Sequence, residues 1–179
     1  MERVQGIMLD LLKQRRSIRK YQDRAVEQEK LDIILKSALL APSSRGIRPW
    51  EFIVVTDKEI LEKLSQCKAH SSQFLKDAPL GIVVIADMTA SDVWIEDVSI
   101  ASTIIQLTAQ YLGLGSCWIQ IRNRKTADNK SSEDYVKELL NIPEKYSVDN
   151  IIAIGYPGEQ KKPYDENALL YDKVHMERY

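Results

Sequence analysis

Seven consecutive residues, Leu80-Gly81-Ile82-Val83-Val84-Ile85-Ala86, carry no polar side chain. A run this short and this rich in β-branched residues reads as a strand, and its continuity means that both faces are buried. Layers are therefore needed above and below it. Residues 52–55, 116–121 and 150–154 give three further strands, the last closed by Gly155-Tyr156-Pro157-Gly158. Helical spacing separates them. Ile7, Met8, Leu11 and Leu12 open the chain with an amphipathic helix, and Leu31, Ile34, Leu35, Ala38 and Leu39 mark a second over 27–40. Asp57 is placed to cap a short helix carrying Ile60, Leu61 and Leu64. Residues 68–77 are helical in part and stop at Ala78-Pro79; Val136, Leu139 and Leu140 mark a late short helix, with a turn over 141–146. The longest helix, 93–112, is capped by Asp92 and leaves so little polar face that it belongs in a core or a subunit interface. Its Asp97 reads as a rim carboxylate, and Gly113 as a left-handed cap. Strands interleaved with helices make the class an α/β or α+β sandwich, its sheet covered on both sides.

Length and charge narrow the function. The 179 residues form one domain, 1–179, with one core. Lys and Arg number 25 against 26 acids, so no global field favours nucleic acid or a membrane surface. No apolar run is long enough to span a bilayer, and no signal peptide precedes the first helix. Cys67 and Cys117 have no CxxC spacing; two reduced thiols suit the cytoplasm, and a metal site is not expected. Residues 159–179 carry Leu169, Leu170, Tyr171 and Val174, enough to dock on a partner subunit's surface.

Two segments could carry chemistry. Arg15-Arg16-Ser17-Ile18-Arg19 is a dense basic cluster in a chain without basic excess. Guanidinium forks match phosphate oxygens and a hydroxyl adds a neutral donor, although a solvated helix end also reads this way. Ala41-Pro42-Ser43-Ser44-Arg45-Gly46-Ile47-Arg48-Pro49-Trp50 joins a helix to a strand, and its prolines, hydroxyls and glycine suit a site as well as a plain connection. His70 and His175 have no ligand or triad spacing, and no nucleophile elbow, Walker loop or dinucleotide fingerprint is present. An apolar cofactor with a phosphate tail fits better than acid–base catalysis.

Four motifs stand in one order: Arg15-Arg16-Ser17-Ile18-Arg19, Ala41-Pro42-Ser43-Ser44 with Pro49-Trp50, Gly113-Leu114-Gly115-Ser116-Cys117-Trp118-Ile119, and Ile154-Gly155-Tyr156-Pro157. In that register the chain resembles the FMN-dependent nitroreductase family over residues 7–175. The resemblance implies an α+β fold with a mixed, mainly antiparallel sheet between helices, and an intertwined homodimer with FMN at the interface. It further implies that Arg15, Arg16 and Ser17 take the flavin phosphate and ribityl end. Arg19 would sit at the N1/C2 edge, where its charge tunes the ring. Pro42, Ser43 and Ser44 would reach in from the other subunit, with Gly46 and Arg48 on the same loop. Trp118, Ile119 and Gln120 would lie over one ring face, and Lys161 or Lys162 would add a phosphate contact.

One departure from the family is plain. Gly46 stands where the family commonly has Asn, and Arg48 where it has Gln. The first removes an amide, and the second brings a cation that would raise the flavin potential or select an anionic substrate. The implied activity is a ping-pong oxidoreductase in which NADH or NADPH reduces the flavin and a nitroaromatic, quinone or similar acceptor reoxidises it. The alternatives are a flavin store or sensor, or a related reductase branch acting on enones or halogenated substrates.

Overall fold

In the computed structural model, which describes residues 2–179 with side chains from Gly6 onward, the elements follow in order. They are α1 (Glu2–Gln14), α2 (Gln28–Leu39), β1 (Trp50–Val55), α3 (Lys58–Leu64), β2 (Leu80–Asp87), α4 (Trp94–Tyr111), β3 (Gly115–Gln120), α5 (Ser132–Leu140) and β4 (Tyr146–Gly155). The strands form one sheet in the order β1-β2-β4-β3. Every strand pair is antiparallel. The expected parallel component shrinks to one isolated bridge, between Ser17 and Ser116.

Both faces of β2 are covered, as its composition demands. Leu80, Ile82, Val84 and Ala86 pack with Ile34 and Ala38 of α2 and with Val98, Ala101 and Ile105 of α4. Val83 and Ile85 point the other way, onto Leu61 and Leu64 of α3 and Val136 of α5. β4 alternates in the same manner, Ile152 and Ile154 against Ile151 and Ala153. Each fully buried side chain of this size contributes roughly 1.5–3 kcal/mol by leaving water.

One irregularity interrupts the inner pair. Val84 faces Asn150 but Ile85 faces Val148, so Asp149 is the extra residue of a bulge. Its carboxylate is buried, accepts from Asn150 Nδ2 at 2.9 Å, and is raised above the ordinary carboxylate range by burial.

The ends of the helices follow their local chemistry. Asp57 accepts from the Ile60 amide at 3.0 Å, as its position predicts. Ser131 caps α5, a signal the sequence reading passed over. After α4, Gly113 takes φ +76°; its N–H bonds the Gln110 carbonyl while that of Leu114 bonds Ala109. That pair is a Schellman closure, and it requires the left-handed residue glycine supplies.

Two expectations need correction. Asp92 caps nothing: it pairs with Arg45 across to the central loop, and α4 begins at Trp94 after an uncapped Val93. β4 starts at Tyr146, within the stretch expected to turn, because the Tyr146 and Ser147 backbone pairs with Asp87 and Ala86. The helical part expected within 68–77 is the 3-10 turn Gln73–Asp77, which ends at Ala78 as read. As for α4, its inner side packs on the sheet, but Ile100 and Tyr111 stand exposed.

Candidate active site

The Arg15–Arg19 segment leaves α1 and runs along the outer edge of β3. The Ile18 amide donates to the Ser116 carbonyl at 3.0 Å. Side chains alternate along such extended backbone, so Arg15, Ser17 and Arg19 share one side while Arg16 and Ile18 share the other. Ile18 is buried against Gly115, where a Cβ would come within 2.8 Å of it. Glycine is needed at 115 for this close approach.

The surroundings of Cys117 bear out the shared face. Burial pushes this thiol up, while Arg19, the Ser17 hydroxyl, Lys161 and Arg15 act in the opposite sense. Lys161 Nζ donates to the Ser17 carbonyl at 2.7 Å and lies 3.7 Å from Glu159. Glu159 also accepts from the Arg19 amide at 2.6 Å, which with Lys161 holds its carboxyl below the usual range. Among the described residues, Arg15 and Arg19 form no ion pair, so the strip keeps positive charge for an anion. A phosphate fits two guanidiniums, a hydroxyl and a lysine on one face.

Two of the expected phosphate residues point elsewhere. Arg16 donates to the Lys162 carbonyl and stacks 4.4 Å over the Tyr164 ring. It tethers the C-terminal segment, where Tyr164 also donates its amide to Lys13 and Glu166 pairs with the Lys13 ammonium. Lys162 contributes its carbonyl there; Lys161 is the lysine whose ammonium reaches the strip. Glu159, which fixes the strip's backbone, had no sequence signal beyond lying near two lysines.

β3 is an edge strand, and its outer rim is paired only at its start. Ser116 turns its carbonyl outward, so the amides of Trp118 and Gln120, at the same phase, face the open rim. The Trp118 indole N–H donates to Gln120 Oε1 at 2.9 Å, and the Gln120 amide nitrogen donates to the Arg122 carbonyl at 3.2 Å. Ile119 does not share this role. Its side chain is buried on the opposite face of the sheet, among Ile121 and Ile151.

The central loop is built differently. The Arg48 amide donates to Ser43 Oγ at 2.8 Å, and the Ser44 amide donates to Asp97 Oδ1 at the same distance. Asp97 is 2% exposed and also accepts from Ser91 at 3.3 Å; it is a buried clamp rather than the expected rim carboxylate. Arg45, Gly46 and Arg48 take φ of 53°, 67° and 54°. Gly46 adopts this left-handed geometry freely and Asn tolerates it, which accounts for the exchange of Asn for Gly at this position. The Arg48 and Pro42 side chains are exposed.

One chain does not bring loop and strip together. The loop is anchored at the N-terminal end of α4 through Asp97, and the strip lies beyond its C-terminal end, beside Gly115. Asp97 stands in the first turn of α4 and Gly115 just past its end, so most of this 18-residue helix, about 27 Å long in all, runs between the two anchors.

Comparison with known proteins identifies the family. The nitroreductase family profile matches residues 12–69 and 65–156. A protein of Archaeoglobus fulgidus, provisionally named an NADH dehydrogenase/NAD(P)H nitroreductase, is 38% identical over 176 residues, covering 96% of this chain and 98% of its own. The NAD(P)H-linked FMN reductase of Bacillus subtilis is 28% identical over 185 residues, 90% of this chain and 71% of its own. Among solved structures, an FMN-dependent nitroreductase of Clostridium difficile superposes with a TM-score of 0.94 at 60% identity, covering 96% of this chain and all of that one. Sequence and fold thus agree, and the chain belongs to the nitroreductase family of oxidoreductases.

Proposed function

We propose that this chain is an FMN-dependent NAD(P)H oxidoreductase that works as a homodimer with a ping-pong cycle. The observation that carries the reading is the strip itself: Arg15, Ser17 and Arg19 share one face along the open rim of β3, with Lys161 beside them. Arg15, Ser17 and Lys161 would hold the cofactor's phosphate. Arg19 would place a fixed positive charge at the pyrimidine edge of the ring, and the Trp118 and Gln120 amides offer donors along it. FMN bound there would take hydride from NADH or NADPH and deliver electrons to a nitroaromatic, quinone or similar acceptor. No general acid is assigned, since the protein's part is to fix position and charge.

Pairing of two copies is supported by the distance between strip and loop. Pro42, Ser43 and Ser44 are anchored near one end of α4 and the strip lies past its other end, so the loop would complete such a site on a second copy. Exposed apolar residues on α1 (Ile7, Met8, Leu12) and α4 (Ile100, Tyr111) give such a copy a surface to cover. The C-terminal segment adds Leu170 and Val174. A cytoplasmic setting goes with the two free, buried thiols. No described helix is long and apolar enough to cross a membrane.

The test is the visible absorption spectrum of the FMN-loaded protein under anaerobic conditions. Bleaching by NADH or NADPH, and recovery on adding a quinone or nitroaromatic, is the expected result. A bound flavin that neither dinucleotide bleaches would turn the reading to a flavin store or sensor.

A further inference from the structure

A pocket of about 770 Å³ opens where Arg19 leaves the strip. Its lining includes five cations, Arg19, Lys20, Arg24, Lys58 and Lys76, against the carboxylates of Asp23 and Asp77. Two of the cations are engaged: Arg24 with Glu27 at 2.6 Å, and Lys58 with Asp23 at 3.6 Å. Among the described residues, Lys20 and Lys76 form no ion pair, and their side chains stand exposed at the rim. The floor is apolar, made by Val26, Leu31, Pro79 and Leu80. A volume of this size lies in the ordinary range for small-molecule sites, and the lining asks for a ligand with one apolar ring portion and more than one negative charge.

We infer that this pocket receives the adenosine diphosphate half of the dinucleotide reductant, the pyrophosphate resting on Lys20 and Lys76 and the adenosine on the apolar floor. The inference rests on the oxidoreductase reading above. A dinucleotide that lays its nicotinamide on the ring must carry its pyrophosphate off the ring's edge, and Arg19 belongs to both the strip and the pocket. The pocket is therefore on the path that the rest of the reductant has to take. Lysine suits this duty: as mobile point charges, Lys20 and Lys76 hold a ligand that has to leave in every cycle. The sequence contains no ribose-reading motif because cations from three separate segments, at 19–24, 58 and 76, supply the recognition.

The experiment titrates ADP into the FMN-loaded protein by calorimetry, and repeats it with the triple variant Lys20→Gln, Lys58→Gln, Lys76→Gln. The three ammoniums are exposed, so the variant folds with unchanged melting temperature and flavin content. ADP is expected to bind the parent protein and compete with the dinucleotide during flavin bleaching. The variant is expected to weaken ADP and raise the dinucleotide KM by about tenfold each. Its rate of reoxidation by quinone stays unchanged. Equal ADP affinity in parent and variant, or no ADP binding at all, overturns the inference. Failure of the reductase reading looks different: neither dinucleotide bleaches the flavin, and lysine-dependent ADP binding then overturns only the reductant as the occupant.

Discussion

The strip at Arg15–Arg19 and the loop at Pro42–Arg48, proposed above as the two halves of one site, are held by opposite means. The strip is an extension of the sheet: Ile18 is bonded to Ser116, sealed against Gly115, and its backbone is fixed again by Glu159 and Lys161. The loop has no strand beside it. Its shape depends on three residues at positive φ, one Ser43–Arg48 bond and a single buried carboxylate, Asp97. Many weak constraints fix the first half, and a few strong ones the second. The strip is therefore expected to tolerate loss of any one contact, whereas the loop depends on Asp97.

The largest effect expected on this comparison is on cofactor affinity. Replacing both Arg15 and Ser17 with Ala removes charge-assisted donors on the phosphate face and weakens FMN about a hundredfold or more, while riboflavin binding changes little. Equal loss of FMN and riboflavin, read by fluorescence titration, would break the assignment of the strip to phosphate. Next is Asp97→Ala. It strands the Ser44 amide at a buried site and is expected to destabilise the fold by about 1.5–3 kcal/mol in urea. Hydrogen exchange should rise at residues 43–48 and not at 16–19; protection lost equally in both segments would mean that the two halves are not independently held.

Gly115→Ala probes the opposite half. Its Cβ would meet Ile18 at 2.8 Å, and the strip has to shift outward, at a stability loss of about 1–3 kcal/mol. FMN affinity should fall with it, while exchange in the loop stays unchanged. An unaltered flavin affinity would show that the strip does not depend on its seat against β3.

The smallest effect expected is on acid stability. Glu27 is lowered to about 2, first by the Tyr156 hydroxyl and then by Arg24, and it braces α2 to the end of β4 near the strip. Asp87 is lowered to about 2, first by Thr89 and then by Lys145, and lies beside the loop, its amide bonded to Pro49. Both groups titrate in the unfolded chain near their ordinary values of 4.5 and 3.8. Their support is complete above those values and is lost as pH falls toward 2. Both are only partly buried, so solvent screens them and the effect is modest. Tyr156→Phe should raise the midpoint of acid unfolding followed by circular dichroism; a midpoint unchanged or lowered would remove Glu27 from the acid transition.

Much of this was readable from the chain because it depends on neighbours in sequence. The apolar run at 80–86, the Asp57 cap and the Gly113 closure follow from local geometry, whereas the sequence placed Arg16 with Arg15 and Ser17 until the extended backbone beside β3 turned it the other way. The four ordered motifs, together, also carried the family. Other features depend on residues far apart in the chain. Asp97 sits on a helix whose pattern says only that it is apolar, and its role came from a loop residue 53 positions earlier. Asp92 has the chemistry of a cap, but Arg45 claims it. Lys161 and Lys162 are indistinguishable by spacing until the segment folds back over Ser17. Ile119 sits in the same motif as Trp118, and only the packing of the sheet turns it away.

What the sequence determined by itself was the set of elements, the buried strand that forces layers on both faces, and the chemical character of a phosphate strip. Tertiary structure alone decided which of those residues meet. It set strip and loop toward opposite ends of α4, placed a bulge at Asp149, and opened a cationic pocket from three segments distant in the chain. The physical reason is the range of the interactions. Backbone geometry and amphipathic periodicity act over a few residues, whereas burial, strand pairing and electrostatic fields depend on distances in space that exist only once the chain has folded.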